Sequence, residues 1–260
     1  MRKILIIFIS CFLLSPLFAG EVKLAIAANV QNAFPKLQEK FNELYPDIVL
    51  SPTFGASGAF RTQIKNGADF DIFLSADVGF AEEIFNANLS TKEPQIYAQG
   101  ALALFSTKEI DFSKGLELLK NNSIKTISIA NPQTAPYGKA SVEAMENTKV
   151  YDDIKNKLIF AESIGQVTAQ VLSAADIGFV AKSTFYTDNM KKYIENVNWI
   201  SIDISLFNPI NQAMVIIKSS KNLKDTELFY NFLLGKDGKK ILQDFGYNTP
   251  AAETSEDIAA

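Results

Sequence analysis

The most restrictive feature of this sequence is the alternation of short apolar strands with amphipathic helices along nearly its whole length. Val22, Leu24 and Ile26 occupy every second position of residues 21–27, a spacing that predicts a strand. Residues 33–44 then carry apolar side chains at helical spacing, as far as the stop signal Tyr45-Pro46. Because this pair of patterns recurs, the sequence predicts an α/β fold with largely parallel sheets.

The remaining elements are predicted from the same patterns. Further strands are predicted at residues 48–50, 71–75, 101–105, 126–130, 177–180, 200–202 and 213–217. A short helix is predicted at residues 60–66, and one long helix at residues 227–245 closes the fold. Residues 251–260 are small and acidic and are predicted to form a disordered tail. The length of the chain is compatible with one domain or two.

The N-terminus has the layout of a secretory signal peptide. Arg2 and Lys3 precede an apolar run at residues 4–14, and small residues lead to a cleavage site near Ala19-Gly20. The run is too short to span a bilayer comfortably, and no later stretch replaces it, so we expect no membrane insertion after cleavage of residues 1–20. The only Cys lies inside this run, so the mature chain is expected to depend on its apolar core for stability.

Charge and composition argue against nucleic-acid binding and against chemistry that depends on His. The formal net charge is −4, and removal of the two basic residues of the signal peptide leaves 23 basic and 29 acidic residues. An acidic chain without a basic cluster lacks the stripe that neutralises phosphates, so nucleic-acid binding is not expected. The absence of His removes the commonest general base and the commonest transition-metal ligand.

Four segments share one design, in which a strand is followed by a loop of small or polar residues and then by a helix start. They are residues 27–30, 54–59, 131–138 and 161–165. Helix starts offer unpaired N–H groups and a positive dipole end, so several that converge make an anion site without Lys or Arg. Asn29 and Ser57 add side-chain donors and are expected to double as N-caps, and Pro136 suits a first helical position. Taken singly, each such residue is explained as a cap; together they lie where open α/β sheets bind ligands.

Three competing motifs are incomplete. Residues 55–58 resemble a nucleophile elbow, but the Gly is one position early and no His can activate the serine. Residues 137–140 resemble the end of a P-loop that lacks its first Gly and its Mg-binding hydroxyl. Asp69, Asp71 and Asp77 suit a hard metal by type, but we expect them to flank one strand, with Asp77 capping the next helix.

Several stretches carry the pattern of a known family. They are Ala27-Ala28-Asn29, Phe54-Gly55-Ala56-Ser57-Gly58, residues 63–77 ending in Ser75-Ala76-Asp77, Asn131-Pro132 through Tyr137-Gly138, Ile177-Gly178-Phe179-Val180-Ala181, and Phe245-Gly246-Tyr247. Through them the chain resembles the molybdate-binding proteins of ABC transporters, a branch of the type 2 periplasmic binding proteins. The similarity covers nearly the whole mature chain, and the tract that ends in Ser75-Ala76-Asp77 is its most specific part.

The resemblance implies a two-lobe α/β fold of the type 2 periplasmic binding proteins. Each lobe is expected to hold a mainly parallel sheet flanked by helices, with a hinge between the lobes. Residues 21–98 plus 206–250 are assigned to lobe 1 and residues 99–205 to lobe 2. The chain is then expected to cross between lobes near residues 97–100 and 203–209.

The resemblance also implies a set of ligand-binding residues. Carried over residue by residue, the oxyanion is expected to be held by the side chains of Asn29 and Ser57. Backbone amides of Ala28, Tyr137 and Ile164 complete the set. The molybdenum or tungsten atom has no direct protein ligand in this arrangement, and no cofactor is expected.

Two positions depart from the pattern of many members of the family. Asn29 stands where many have Ser, and Ala181 stands where many have a Tyr whose hydroxyl completes the ligand shell. A subgroup with Asn at the first position and Tyr at the position of Tyr137 is closer to this chain. The Asn29 amide carries two hydrogens and is therefore able to replace the lost donor.

The function implied is capture of molybdate or tungstate in the periplasm and delivery to the permease of an ABC importer, by a monomer without enzymatic activity. Donors with few acceptors disfavour a protonated ion such as phosphate, because its unpaired O–H costs about 1–3 kcal/mol. The alternatives are a binding protein for sulfate or an organic acid, an adhesin that keeps the fold, and an enzyme that uses Ser57. An organic acid calls for a guanidinium, and Arg61, the only Arg after the signal peptide, is expected to point to solvent.

Overall fold

The computed structural model describes residues 20–250. Residues 1–19 and 251–260 lie outside the described residues, and they include nearly all of the predicted signal peptide and the whole of the predicted tail. Among the described helices, none combines the length and the apolar character that a membrane span requires.

The described chain alternates strands and helices, as the sequence predicts. Ten strands are present: β1 (Gly20–Ala27), β2 (Ile48–Gly55), β3 (Ile72–Ser75), β4 (Gln95–Gly100), β5 (Leu102–Phe105), β6 (Ile127–Ala130), β7 (Leu158–Ala161), β8 (Ile177–Ala181), β9 (Trp199–Ser201) and β10 (Ile210–Ile216). Eight α-helices accompany them: α1 (Phe34–Leu44), α2 (Ser57–Lys65), α3 (Val78–Asn86), α4 (Pro136–Asn147), α5 (Tyr151–Ile154), α6 (Ile164–Ser173), α7 (Leu223–Leu234) and α8 (Lys236–Asp244). Short 3-10 helices lie at Ala28–Asn32, Gly115–Lys120, Lys155–Lys157, Lys182–Tyr186, Asp188–Met190 and Ile204–Leu206.

The strands form two five-stranded sheets, which confirms the predicted two-lobe α/β fold. The first sheet has the order β2-β1-β3-β10-β4 and the second the order β7-β6-β8-β5-β9. The expectation of mainly parallel sheets was wrong, because each sheet contains two parallel and two antiparallel pairs. The antiparallel pairs arise where the chain changes sheet, since β4 and β5 follow one another directly and β10 returns to the first sheet.

The two sheets are connected at two places in the chain. One connection is the single residue between β4 and β5, and the other runs from the end of β9 at Ser201 to the start of β10 at Ile210. The predicted division into residues 21–98 plus 206–250 and residues 99–205 stays a prediction.

The side chains of β1 alternate between the two faces of the first sheet, and both faces are buried. Val22, Leu24 and Ile26 of β1 are buried on one face, where they pack with Leu37 and Phe41 of α1. The opposite face is covered by a second cluster that includes residues of β3, α2 and α3. A separate core covers the second sheet and reaches the loops at the ends of β1, β2 and β3. Burial on both faces explains the near-continuous apolar runs of these strands.

One helix and three strands differ from the sequence prediction. The predicted helix at residues 227–245 is two helices, because Gly235 takes an extended conformation between α7 and α8. Strand β2 continues past residue 50 through Pro52, which an edge strand tolerates because its outer N–H is not needed for pairing. Strands β4 and β7 were missed, since the first has Gln at both ends of its apolar centre and the second is half exposed.

Candidate functional site

The carboxyl ends of the central parallel strands meet at a small cavity between the two sheets. Its volume is about 10 Å³, which is room for about one water molecule. It is lined by Ala27, Ala28, Asn29, Gly55, Ala56, Ser57, Ala76, Ala135, Pro136, Tyr137 and Ile164. The structure therefore brings together all five residues that the sequence analysis assigned to an oxyanion: Ala28, Asn29, Ser57, Tyr137 and Ile164.

Four helix starts surround this cavity. The 3-10 helix Ala28–Asn32 and α2 follow strands of the first sheet, and α4 and α6 follow strands of the second. Ala56 and Ala135, the N-cap residues of α2 and α4, have no side chain that can cap the helix. The first amides of these helices have no carbonyl partner within their own helix, so they offer hydrogen to a group in the cavity. Pro136 lies at the first position of α4, as predicted.

Ser57 is held in place by a backbone amide from a neighbouring strand end. Its Oγ accepts a hydrogen bond of 2.9 Å from the N–H of Ala76, and the residue is 1% exposed. Since the oxygen is the acceptor in this contact, the hydroxyl hydrogen is available for donation. The prediction that Ser57 caps a helix was wrong: Ser57 is the first residue of α2, and Ala56 occupies the cap position.

Asn29 is buried inside the 3-10 helix Ala28–Asn32, so the prediction that it is an N-cap was also wrong. Its Nδ2 donates to Gln212 Oε1 at 2.9 Å and to the Tyr247 hydroxyl at 3.1 Å. Its Oδ1 is buried without a hydrogen-bond partner among the described residues. An unpaired buried acceptor costs about 1–3 kcal/mol, so this atom marks a position where a donor or a further group is expected.

Asn29 belongs to a buried polar network that the sequence analysis missed. Tyr97 donates to Gln212 Oε1 at 2.9 Å, and Gln212 Nε2 donates to the Tyr137 hydroxyl at 3.3 Å. Burial raises the pKa of Tyr247 to about 12 and the pKa values of Tyr97 and Tyr137 well above the usual value, so all three hydroxyls keep their protons. The one sequence signal was Gln212 inside an otherwise apolar strand, where a polar side chain requires partners.

The two sides of the cavity touch one another directly. The N–H of Gly58 in α2 donates to the Thr134 carbonyl, in the loop before α4, at 2.9 Å. Ser183 Oγ donates to the Asn29 carbonyl at 3.0 Å from the 3-10 helix that follows β8. Ala181 ends β8 and does not line the cavity. These contacts hold residues of both sheets around one small cavity.

The walls of the cavity carry no formal charge. No Lys, Arg, Asp or Glu is among the described residues that line it. The prediction that Arg61 points to solvent was wrong, because its guanidinium pairs with Glu83 at 2.5 Å and lies over the ring of Phe80. That pairing lowers the pKa of Glu83 and occupies the one Arg that follows the signal peptide.

The aspartates considered as metal ligands have separate structural roles. Asp77 caps α3 by accepting from the Phe80 amide at 2.9 Å, as predicted. Asp69 pairs with Lys23, and Asp71 accepts from the Lys23 amide and from Ser220 Oγ. Within residues 20–250, no group of three His, Cys, Asp or Glu side chains is arranged to hold a metal ion.

Comparison with known proteins gives consistent matches over nearly the whole described chain. A family model described as a bacterial extracellular solute-binding protein matches residues 22–248. The molybdate-binding protein ModA of Azotobacter vinelandii is 32% identical over 231 residues, which are 88% of this chain and 90% of that protein. The protein of the same description from Rhodobacter capsulatus is 31% identical over 236 residues, 90% of each chain. The solved structure of the periplasmic molybdate-binding protein of Azotobacter vinelandii matches with a TM-score of 0.81 and 28% identity, covering 88% of this chain and 99% of that one.

Proposed function

The chain belongs to the bacterial extracellular solute-binding proteins, and from this premise we propose that it captures molybdate or tungstate between its two lobes. The relatives that are 32% and 31% identical are molybdate-binding proteins, and they match this chain over most of its length. Both ions are tetrahedral dianions, so they make the same demand on a binding site: hydrogen-bond donors directed at four oxygens.

The observation that carries this proposal is the convergence of helix starts from both sheets on one cavity without charged walls. A buried dianion must be matched by directed donors, because otherwise its desolvation keeps it in water. Backbone amides at helix starts supply such donors in fixed positions, and hydrogen bonds to a charged acceptor are stronger than those between neutral groups. Ala28, Tyr137 and Ile164 provide the amides, and Ser57 provides a hydroxyl whose oxygen is already engaged by Ala76.

The same arrangement supports selection of a fully ionised ligand. The donors around the cavity outnumber its acceptors, so an ion that carries an O–H leaves that group unpaired at a cost of about 1–3 kcal/mol. Phosphate carries such a hydrogen near neutral pH, whereas molybdate and tungstate do not. Because Arg61 is paired with Glu83, no guanidinium is available to a ligand carboxylate, which disfavours an organic acid.

Binding is coupled to movement of the lobes in this proposal. The cavity has room for about one water molecule, which is less than a tetrahedral oxyanion needs, so its two sides must move apart to admit one. The ligand then stabilises the closed form by contacts to both sides, which is a hinge mechanism. The closed monomer acts in the periplasm, after removal of the signal peptide, and delivers its ligand to the permease of an ABC importer.

The first test is titration calorimetry of the mature chain with molybdate, tungstate, sulfate and phosphate. We expect one-to-one binding of molybdate and tungstate, with no heat of binding from sulfate or phosphate at the same concentration. A matched experiment with Ser57→Ala, which removes one donor to the ligand, is expected to weaken binding about tenfold or more. Binding of sulfate in preference to molybdate, or silence from all four ions, would contradict the proposal.

A further inference from the structure

Asn29 lines the candidate oxyanion cavity, and the one polar atom of its side chain without a partner is an acceptor, which does not suit an anion. Both hydrogens of its Nδ2 are used away from the cavity, by Gln212 and Tyr247, and neither of these residues lines the cavity. Oδ1 is therefore the side-chain atom left for a group in the cavity, since it has no partner among the described residues. An acceptor at this position repels the oxygens of a dianion, whereas an amide nitrogen there donates to them.

Rotating the Asn29 amide alone does not solve this problem. A half-turn about the terminal bond exchanges Oδ1 and Nδ2 and brings Oδ1 to the position that lies 2.9 Å from Gln212 Oε1. Two carbonyl oxygens then face each other in a buried site without a hydrogen between them, which is strongly unfavourable. The direction of the Asn29 amide is thus set by the direction of the Gln212 amide.

Rotating both amides together preserves the contacts of the network. Gln212 Nε2 then donates to Asn29 Oδ1 and to the Tyr97 hydroxyl. The Tyr97 hydroxyl in turn donates its hydrogen bond to the Ser75 carbonyl, 3.4 Å away. Gln212 Oε1 then accepts from the Tyr137 hydroxyl. Tyrosine hydroxyls tolerate this exchange because each one both donates and accepts.

The last contact of Asn29 is also preserved. Tyr247 turns its hydrogen from the Asn29 carbonyl to Asn29 Oδ1, and Ser183 continues to donate to that carbonyl at 3.0 Å. The reversed network leaves Nδ2 of Asn29 as the free donor on the cavity side. It also removes the orphaned acceptor.

We propose that Gln212 is a positioning residue for the ligand: its side-chain amide reverses together with that of Asn29, so that Asn29 presents Nδ2 to the bound oxyanion. This inference rests on the proposed capture of an oxyanion at this cavity. Gln212 does not touch the ligand. It acts through Asn29. Its hydrogen bond with Tyr137 also connects the reversal of the two amides to the start of α4, which follows a strand of the second sheet.

The test replaces the reversible amide of Gln212 with groups of fixed polarity. In Gln212→Glu, an ionised carboxylate offers only acceptors and holds Nδ2 of Asn29 away from the cavity. We expect molybdate to bind about thirtyfold or more weakly near pH 8, with recovery as the pH falls and the introduced carboxyl gains a proton to donate. The titratable groups that face position 212 are the hydroxyls of Tyr97 and Tyr137, with Tyr247 beyond Asn29, and burial raises the pKa of each, so they stay protonated throughout this range.

Two matched variants separate amide polarity from charge and packing. Gln99→Glu introduces the same charge on the neighbouring strand β4, where the side chain contacts Asn211 rather than Asn29, and we expect affinity within about threefold of the wild type. Gln212→Met removes the hydrogen bonds without imposing a polarity, and it is expected to bind less tightly than wild type but without the recovery at low pH. Equal losses in Gln212→Glu and Gln99→Glu, or a Gln212→Glu variant that binds as wild type does near pH 8, would overturn the inference.

Neutron diffraction from crystals grown with molybdate tests the geometry directly, because it distinguishes the amide nitrogen from the oxygen. We expect Nδ2 of Asn29 beside the oxyanion and Oδ1 beside Gln212 Nε2. The opposite orientation with molybdate bound overturns the role of Gln212 and leaves the proposed function standing. A wild-type chain that binds no molybdate in calorimetry overturns the proposed function, and the inference with it.

Discussion

At the scale of single residues, the candidate site depends on which atoms have hydrogen to donate. Ser57 and Asn29 are each 1% exposed, so neither can exchange a lost contact for water. Ser57 is ready to donate because Ala76 occupies its acceptor side. Asn29 carries donor and acceptor on one side chain, and its surroundings decide which of them faces the cavity.

Asn29→Asp tests the need for a donor at this position. The substitution keeps the shape of the side chain but leaves only acceptors when the carboxyl is ionised. We expect molybdate affinity near pH 8 to fall about tenfold to a hundredfold, which corresponds to about 1.5–3 kcal/mol for a hydrogen bond to a charged group. Calorimetry measures the loss, and Asn32→Asp on the same 3-10 helix, which makes the same charge change outside the cavity, is the control. Similar affinities of these two variants would contradict the assignment.

Asp176 is a residue-scale determinant of stability rather than of binding. The Lys125 amide is the main cause that holds the pKa of this carboxyl at about 2, with further help from Lys108 and Thr126. Because the folded-state pKa lies below the ordinary Asp value of 3.8, the stability that it contributes is present above about pH 4 and is lost as the pH falls through about 2.

Asp176→Asn is therefore expected to lower the free energy of unfolding by about 2 kcal/mol near pH 7. Urea denaturation at several pH values should show the difference from wild type shrinking as the pH falls from about 4 to about 2. Asp188→Asn is the control, since its pair with Lys191 is exposed and such pairs contribute little. A difference that persists unchanged at low pH would show that the carboxylate charge is not responsible.

At the scale of elements, the start of α2 meets the loop before α4 across the cavity. Gly58 donates to the Thr134 carbonyl at 2.9 Å, and a Cβ added to Gly58 would lie 3.0 Å from backbone atoms of Thr134 and 3.1 Å from the ring of Phe80. Backbone atoms cannot move aside as the end of a side chain can. An added methyl group at this position would therefore push these two elements apart by a few tenths of an ångström.

Gly58→Ala is expected to oppose closure and to weaken molybdate binding about tenfold, because overpacking of this kind costs about 1–3 kcal/mol. Gly165→Ala on α6 is the matched control, since an added Cβ there meets only the end of the flexible Gln31 side chain. Calorimetry on both variants gives the comparison, and circular dichroism checks that each is folded. Equal affinities of the two variants would mean that the Gly58–Thr134 contact does not limit binding.

At the scale of the whole molecule, two sheets share one cavity and are connected by two short stretches of chain. The contacts between them include Gly58 with Thr134 and Ser183 with Asn29. A ligand that bridges the same two sides adds to these contacts and shifts the population toward the closed form. The size of the shift is limited by the difference between the ligand's affinities for the two forms.

Small-angle X-ray scattering tests this closure in solution. We expect the radius of gyration to decrease when molybdate is added, because the two lobes approach each other. Sulfate at the same concentration is expected to leave the scattering curve unchanged. Superimposable curves with and without molybdate, in a sample that calorimetry shows to be saturated, would contradict the hinge mechanism.

Local patterns determined the elements that depend on local chemistry. Alternation along β1, the helical spacing of α1, the proline at the start of α4 and the Asp77 cap were all predicted, because periodicity and capping act over a few neighbouring residues. Local propensity was also misleading for the helix predicted at residues 227–245. The residues on both sides of Gly235 favour a helix, and their pattern does not reveal that Gly235 is extended between α7 and α8. Resemblance to a known family, rather than periodicity, assigned five of the residues that line the cavity to the ligand.

By itself, then, the sequence determined the α/β class and the loops at which a ligand is expected. Only the tertiary structure decided which distant side chains form hydrogen bonds with the residues of those loops. Asn29 and Tyr247 belong to one hydrogen-bonded network although 218 positions separate them in the sequence, and no local pattern encodes that contact. Antiparallel pairs enter both sheets because the chain returns to a sheet that it has left. Whether Asn29 donates or accepts is decided by Gln212, because buried polar groups must find partners wherever the fold places them.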